Sequence, residues 1–328
     1  MGTLTSRAVK AKAHELGFDL CGVAPAVDLP ELAFLQEWLA RGYAGAMGYL
    51  ERSAARRTDV RRVLPSAQTV IVTGTNYNTD RPYSTERADP ASAHVARYAW
   101  GDDYHDVILA RLQVLTDWMR TSSDAPFEAR VYVDTGPVQE RVYARHAGIG
   151  WIGKNTCIIN PGLGSWLFLG EIICTLPLEV DEPGLDQCGD CSLCIEACPT
   201  AALVAPGVLD STRCISYLTI ESRDAVPEAL QEGVGTHVYG CDVCQEVCPW
   251  NAAAPCSDDP AWQPRPVWDR ADVATLSAMS DEALKDALRG SAMRRARVSG
   301  LRRNLEIGLR NGEARRYHRG GESVLHKD

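Results

Sequence analysis

Two cysteine runs constrain this chain more than any other feature. The first reads Cys188-x2-Cys191-x2-Cys194-x3-Cys198-Pro199. Three thiols with two residues between each let one tight loop present sulfur to three corners of an iron–sulfur cube, and a later Cys-Pro turns its own sulfur towards a second cube. The second run, Cys241-x2-Cys244-x3-Cys248-Pro249, repeats the last three of those positions, with Val238 where a leading cysteine should stand. Its missing thiol is assigned to Cys214. Eight cysteines then serve two [4Fe–4S] clusters of four thiolates each, and the crossover places Cys188, Cys191, Cys194 and Cys248 on one cluster and Cys198, Cys214, Cys241 and Cys244 on the other.

Competing uses of cysteine fit less well. Zinc sites also use Cys-x2-Cys pairs, but four thiols in one short run closed by Cys-Pro, with a near copy downstream, is not the spacing of a zinc knuckle or ribbon. A radical-SAM cluster needs Cys-x3-Cys-x2-Cys, and Ala201 and Asn251 stand where its next cysteine would be. Disulfides are not expected, because the N-terminus offers no apolar core of a signal peptide and thiols in a reducing cytosol persist as ligands. A cytoplasmic location follows as an expectation. Met1-Gly2-x-x-x-Ser6 has the letters of a myristoylation site, but Ser6 reads equally as a helix cap.

At 328 residues the chain exceeds what one core usually serves, so two or three domains are expected. Residues 1–177 alternate helical and strand patterns and read as an α/β or α+β domain. The helices are expected near 6–16, from Pro30, over 104–119 and over 138–146, with Pro137 in the first turn. The strands are expected over 19–27, 69–75, 128–134, 156–159 and 166–175, with a long loop at 76–93. Residues 178–258 hold the clusters, and a Pro-rich linker leads to a helical segment within 259–328. There Val298, Leu301, Leu305 and Leu309 share a stripe, and Gly312 marks a helix stop.

Net charge is −9, which argues against diffuse nucleic-acid binding, but the charge is unevenly placed. Residues 285–328 carry 12 Lys or Arg against 5 Asp or Glu, leaving 22 against 38 for the rest. A basic end on an acidic body points to a localised anionic partner or to a solvated helix face. Arg295, Arg302, Arg303 and Arg310 fall on one flank of the helical pattern.

Gly148-x-Gly150-x-x-Gly153, with Glu171 about twenty residues on, has the letters of a dinucleotide fingerprint, but the strand-then-helix context is reversed. Asp134 closes a strand pattern before Thr135-Gly136-Pro137, where it could be a half-buried acid with a raised pKa or simply an Asx-type turn. Cys21 and Cys174 read as small core residues. Cys157 is the one spare thiol expected near a site. Asp103-Tyr104-His105 begins like the cobalamin signature Asp-x-His-x-x-Gly, but Ile108 occupies the glycine position, so any corrinoid would be held without that lower histidine ligand.

Taken together, Val131 to Val138, Gly148 to Thr156, Arg97 to His105, Cys214 to Glu221 and both cysteine runs resemble the epoxyqueuosine reductase family over almost the whole chain. The resemblance implies an α+β enzyme of tRNA modification. It would comprise an N-terminal cobalamin-binding α/β domain, a ferredoxin-like domain with two [4Fe–4S] clusters, and a C-terminal HEAT-like helical module that helps to bind tRNA. It implies reduction of epoxyqueuosine to queuosine, with Asp134 as proton donor and Arg57, Arg97, Asp134, Cys157, Asn160, Ser216, Cys241 and Asp242 as corrinoid contacts. Arg294, Arg295, Arg302 and Arg303 are expected to meet tRNA phosphates. An external low-potential electron donor, a monomeric state and no membrane association complete the expectation. A plain ferredoxin-type electron carrier and a corrinoid reductive dehalogenase of small molecules are the rival readings.

Overall fold

The computed structural model describes residues 4–86 and 89–322, with side chains described as far as 314. Its centre is a four-stranded sheet of β1 (Leu20–Pro25), β2 (Thr69–Asn76), β3 (Ala129–Tyr132) and β4 (Leu167–Cys174), in the spatial order β1-β2-β4-β3. Every pairing is antiparallel. The N-terminal half is therefore α+β, not the parallel α/β sheet that alternating elements favour. The β1–β2 connection carries two helices, Phe34–Ala40 and Gly48–Arg57, so it is no single-helix crossover of the kind that returns a strand parallel. All eight residues of β2 are buried, as the run Thr69 to Thr73 of Val, Ile and Thr requires of a strand covered on both faces.

Helices α1 (Ser6–Glu15) and α2 (Tyr104–Ser122) cover one face. There Val9, Ile108, Leu112, Leu115 and Met119 pack on Val23, Ile71 and Ile172. The other face buries Val70, Val72 and Ile173 against Leu32, Val60, Leu64 and helix α3 (Glu140–His146). Pro137 lies ahead of α3 rather than in its first turn. Gly148-x-Gly150-x-x-Gly153 leads into a small hairpin pairing Trp151–Ile152 with Ile158–Ile159. A Cβ on Gly150 would lie 2.2 Å from the Ile159 carbonyl oxygen, so this glycine is there for close packing and not for a dinucleotide.

The C-terminal stretch shares a core with earlier segments. Val238 and Tyr239 belong to a strand, His237–Tyr239, that pairs parallel with His94–Val95. These residues pack with Trp268, Leu276, Leu284, Leu301 and Leu305. The last helix, α4 (Arg297–Glu322), continues past Gly312 instead of stopping there. Gly312 has a different reason to be a glycine: a Cβ would stand 2.9 Å from the Pro90 carbonyl oxygen. No helix among the described residues is long and apolar enough to cross a membrane.

Candidate active site and cluster-binding region

All twelve cysteines are free thiols. The structure sorts eight of them into two groups. Burial raises the Cys194 thiol pKa, and the charges of Cys248, Cys188 and Cys191 raise it further. Burial raises that of Cys248 too, with Cys188 and Cys191 adding to it. Cys244 is raised by burial and then by Cys157, Cys241 and Cys214, and Cys214 by burial with Cys198 next to it. These neighbourhoods match the quartets that the crossover spacing gives. Four adjacent thiolates in such a desolvated region would repel one another unless a cation neutralised them, and a metal centre supplies that charge. Among the described residues no three His, Cys, Asp or Glu gather to hold a single metal ion.

Polar groups of the N-terminal half brace both loops, Asn155 Nδ2 donating to the Cys244 carbonyl of the second at 3.2 Å. Lys154 Nζ donates to the Gly189 and Cys191 carbonyls at 2.6 and 2.9 Å, and Trp151 Nε1 to Cys188 Sγ at 3.4 Å. The Ala202 amide donates to Cys198 Sγ at 3.2 Å. N–H groups aimed at sulfur favour the reduced, more negative state of a cluster.

A space of about 320 Å³ opens directly on the second quartet. Cys198, Cys214, Cys241 and Cys244 border it, and Leu167, Leu169 and Ile158 provide an apolar wall. Of the expected corrinoid contacts, Cys157, Ser216, Cys241 and Asp242 line this slot. Asp242 is buried, and desolvation followed by the charge of Glu246 raises its pKa to about 7. Two other expected contacts do not reach it. Arg97 is 2% exposed, its guanidinium donating to Thr79 and to the Arg81 carbonyl while lying against the Tyr83, Trp100 and Trp166 rings. Only its backbone N–H touches the site, donating to Asp242 Oδ2 at 2.6 Å. Asn160 ties its own turn together: Nδ2 donates to the Ile149 carbonyl, and Oδ1 accepts from the Gly162 and Leu163 amides.

Tyr98 lines both this slot and a larger cleft of about 830 Å³. In this cleft stand Asp134 and Arg57, the latter donating to Ser53 Oγ and the Val138 carbonyl. The side chain of Asp134 is 61% exposed, so cleft solvent reaches it. It follows β3 in a γ-turn of the uncommon hand. The Thr135 amide donates to the Val133 carbonyl at 2.5 Å, and Asp134 itself has φ of 56°. Such a conformation costs a non-glycine residue about 1–3 kcal/mol and persists only where the surroundings hold it.

Asp134 Oδ2 accepts from the Tyr104 hydroxyl at 2.9 Å and lies 3.4 Å from His105 Nε2. On its far side, His105 Nδ1 is 2.7 Å from Asp103 Oδ1, and Asp103 caps α2. Tyr104 is fixed by stacking on Phe168 at 4.5 Å. The crowded site raises the Asp134 pKa, but the hydrogen bonds of His105 and Tyr104 and the charges of His105 and Arg141 outweigh this and leave it below the ordinary carboxylate range. Burial alone would lower the His105 pKa; Asp103 and Asp134 instead raise it to about 9. The resting proton thus sits on the imidazole, which corrects the expectation of a raised Asp134 pKa. Reading His105 only as a possible metal ligand hid its place. The signal that could have found it was Asp103 in a capping position two residues before it.

The arginines expected to meet tRNA divide. Arg294 and Arg295 line the cleft with Arg52. Arg294 pairs with Asp103 at 3.3 Å, and Arg295 is held in a two-pronged pair by Glu221. Arg302 donates to the Ser277 and Met279 carbonyls and pairs with Asp281. Arg303 donates to the carbonyls of Leu218, Ser222 and Asp224. Both therefore fasten α4 to its neighbours and are not offered to a phosphate. Arg310, on the same flank, donates to Gln231.

Comparison with known proteins bears on the whole chain. A family model described as "Epoxyqueuosine reductase QueG, DUF1730" matches residues 57–135, and one described as "4Fe-4S double cluster binding domain" matches residues 187–251. The epoxyqueuosine reductase of Gloeobacter violaceus is 43% identical, over 93% of this chain and 96% of its own. That of Pseudomonas aeruginosa is 41% identical, over 98% and 91%. A crystal structure of epoxyqueuosine reductase with an epoxyqueuosine-modified tRNA-Tyr stem loop superposes with a TM-score of 0.83 at 30% identity, covering 94% of this chain and 81% of that one. The Bacillus subtilis enzyme, in a structure described with its "Asp134 catalytic loop swung out of the active site", gives 0.81 at 29% identity over 98% and 85%. With relatives this similar over nearly its full length, the chain belongs to the epoxyqueuosine reductase family.

Proposed function

We propose that this enzyme reduces epoxyqueuosine to queuosine in tRNA with two [4Fe–4S] clusters and a corrinoid, and that Asp134 delivers the proton to the departing oxygen. Removing an epoxide oxygen as water breaks two C–O bonds, forms a carbon–carbon double bond, and consumes two electrons and two protons. Side chains alone cannot supply the electrons. A low-potential donor passes them to the clusters, and the corrinoid, when bound, supplies the redox chemistry at carbon.

The observation that carries this reading is that Tyr98 stands between two spaces and lines both: a slot walled by Leu167, Leu169 and Ile158 and bordered by the second thiol quartet, and a cleft holding an acid. A flat, largely apolar macrocycle with polar edges suits that slot, with Ser216, Asp242 and Cys157 at its rim. His105 holds the resting proton at Nε2, Asp103 keeps the ring oriented, and Asp134 Oδ2 transfers the proton as charge develops on the oxygen. A positioned acid of this kind is worth ~10² to 10⁴ in rate. Arg52, Arg294 and Arg295 at the cleft wall meet phosphates of the anticodon loop, whose modified base must swing out to enter. The reducing cytoplasm, where tRNA is modified, suits the unpaired thiols.

Anaerobically reconstituted enzyme, given a corrinoid, a strong reductant and an epoxyqueuosine stem loop, should yield a nucleoside lighter by one oxygen atom. D134N should retain iron and stem-loop binding but not turnover. Full turnover without any corrinoid, or by D134N, would overturn the reading.

A further inference from the structure

Beneath the turn that carries Asp134 lies a second acidic group that the scheme above does not use. Glu171 sits in the middle of β4, 0% exposed, facing Val72 on β2 and Tyr132 on β3, with no cation in register beside it. Counted as a carboxylate, neither of its oxygens finds a donor. Its hydrogen-bond neighbour is another carboxyl, that of Glu140 at the start of α3. Two carboxyl groups can satisfy each other in a dry interior only with a proton between them. Glu140 also accepts the backbone N–H of Asp134, through Oε1 at 2.5 Å. The same side chain therefore joins the buried acid to a residue in a strained conformation.

We propose that Glu140 and Glu171 are positioning residues, a carboxyl pair sharing one proton that latches the Asp134 turn in its left-handed conformation and so aims the Asp134 carboxyl into the cleft. The proposal rests on Asp134 as the group that meets the reacting oxygen. Desolvation and then the charge of Asp134 raise the Glu140 pKa to about 7, and desolvation with Glu140 raises that of Glu171 well above its ordinary value. The charged or titratable groups around the pair are Asp134, Arg141, Arg57 and Tyr104. The charge of Asp134 raises the Glu140 pKa, while the hydrogen bonds with Glu171 and the Asp134 amide and the charge of Arg141 lower it. Losing the shared proton would place two adjacent buried anions under a third, so the latch opens as the pair ionises. The displaced Asp134 loop described for the Bacillus subtilis relative shows that the corresponding segment can leave its site in that protein.

The test uses the full-length, cluster-loaded enzyme. In E140Q the amide still accepts the Asp134 N–H and donates to Glu171, so turnover should stay within about threefold of the parent; in E140A turnover should fall about tenfold or more, with little change in KM for the stem loop. Hydrogen exchange at the Asp134–Gly136 amides should rise about tenfold in E140A and stay protected in E140Q. Infrared difference spectra should show a protonated-carboxyl band in the parent that shifts in E140Q, where an amide replaces the hydrogen-bond partner of Glu171. This readout holds even if E140A fails to fold. An absent band, a band unmoved in E140Q, or unchanged exchange in folded E140A would overturn the latch. Active D134N would instead overturn the role of Asp134, whatever the exchange data show.

Discussion

Asp103→Asn isolates the charge behind His105. Asn caps a helix as well as Asp does, so α2 should start unchanged, with the His105 amide still hydrogen-bonded to residue 103. What disappears is the anion 2.7 Å from His105 Nδ1. In the parent, the pKa of His105 rises from 6.5 to about 9 against a burial effect that opposes it. At 1.36 kcal/mol per unit, that net displacement corresponds to ~3 kcal/mol, with the Asp103 hydrogen bond the largest of the favourable contributions and Asp134 adding to it. The sign follows directly. A group whose folded pKa is raised contributes stability in full below its unfolded value near 6.5, and that contribution is lost as pH rises through about 9. Turnover that draws on protonated His105 should likewise fall on an alkaline limb near pH 9. In D103N that limb should move down by roughly one to two units, and the stability difference between parent and variant should vanish at high pH. Single-turnover rates with pre-reduced enzyme, measured from about pH 6 to about pH 10, read the limb without interference from electron supply, and a proton NMR titration of His105 reads the pKa itself. A His105 titrating at its ordinary value in the parent, or an alkaline limb that D103N leaves in place, would refute the reasoning.

Cys188→Ala and Cys214→Ala should each leave about four irons of eight, and their electron paramagnetic resonance spectra should be complementary. Identical residual spectra would reassign the quartets. Reversing Arg294 and Arg295 to Glu should weaken stem-loop binding and flatten its salt dependence by roughly 0.7 per lost phosphate contact, read as the log–log slope of affinity against salt. Arg303→Ala should act on stability instead, by about 1–3 kcal/mol in a denaturant melt, because three carbonyls lose their donor. Gly150→Ala forces a methyl to within 2.2 Å of the Ile159 oxygen and should cost at least ~2 kcal/mol.

How much of this could be read from the chain depends on how local the signal was. The thiol spacing is a property of a few turns of backbone, so two quartets could be expected from it, with the distant Cys214 proposed for the thiol missing at Val238. Strands β2 and β4 were legible for the same reason, as apolar runs of strand length. The direction of pairing was not, because nothing in the residues of β1 records that two helices separate it from β2. Gly312 misled because a glycine that ends a helix and one that lets another chain approach look alike until the Pro90 carbonyl is in view. Arg302 and Arg303 misled because charge on a helix flank says nothing about which carbonyls lie opposite. The dependence of Asp134 on His105 and Tyr104 escaped because a pKa is set by neighbours in space, and both lie about thirty residues away in the chain.

On the proposed ligand assignment, the exchange of Cys198 and Cys248 between the two loops has a consequence for biosynthesis. A ribosome that has just added Cys194 has made only three of the four sulfurs for that cube, and the fourth follows more than fifty residues later. The other cube opens with Cys198 and must wait for Cys241 and Cys244. Neither inorganic centre could be finished on its own loop, so iron and sulfide would have to be delivered to a polypeptide whose loops already lie side by side, and each insertion would stitch the early loop to the late one.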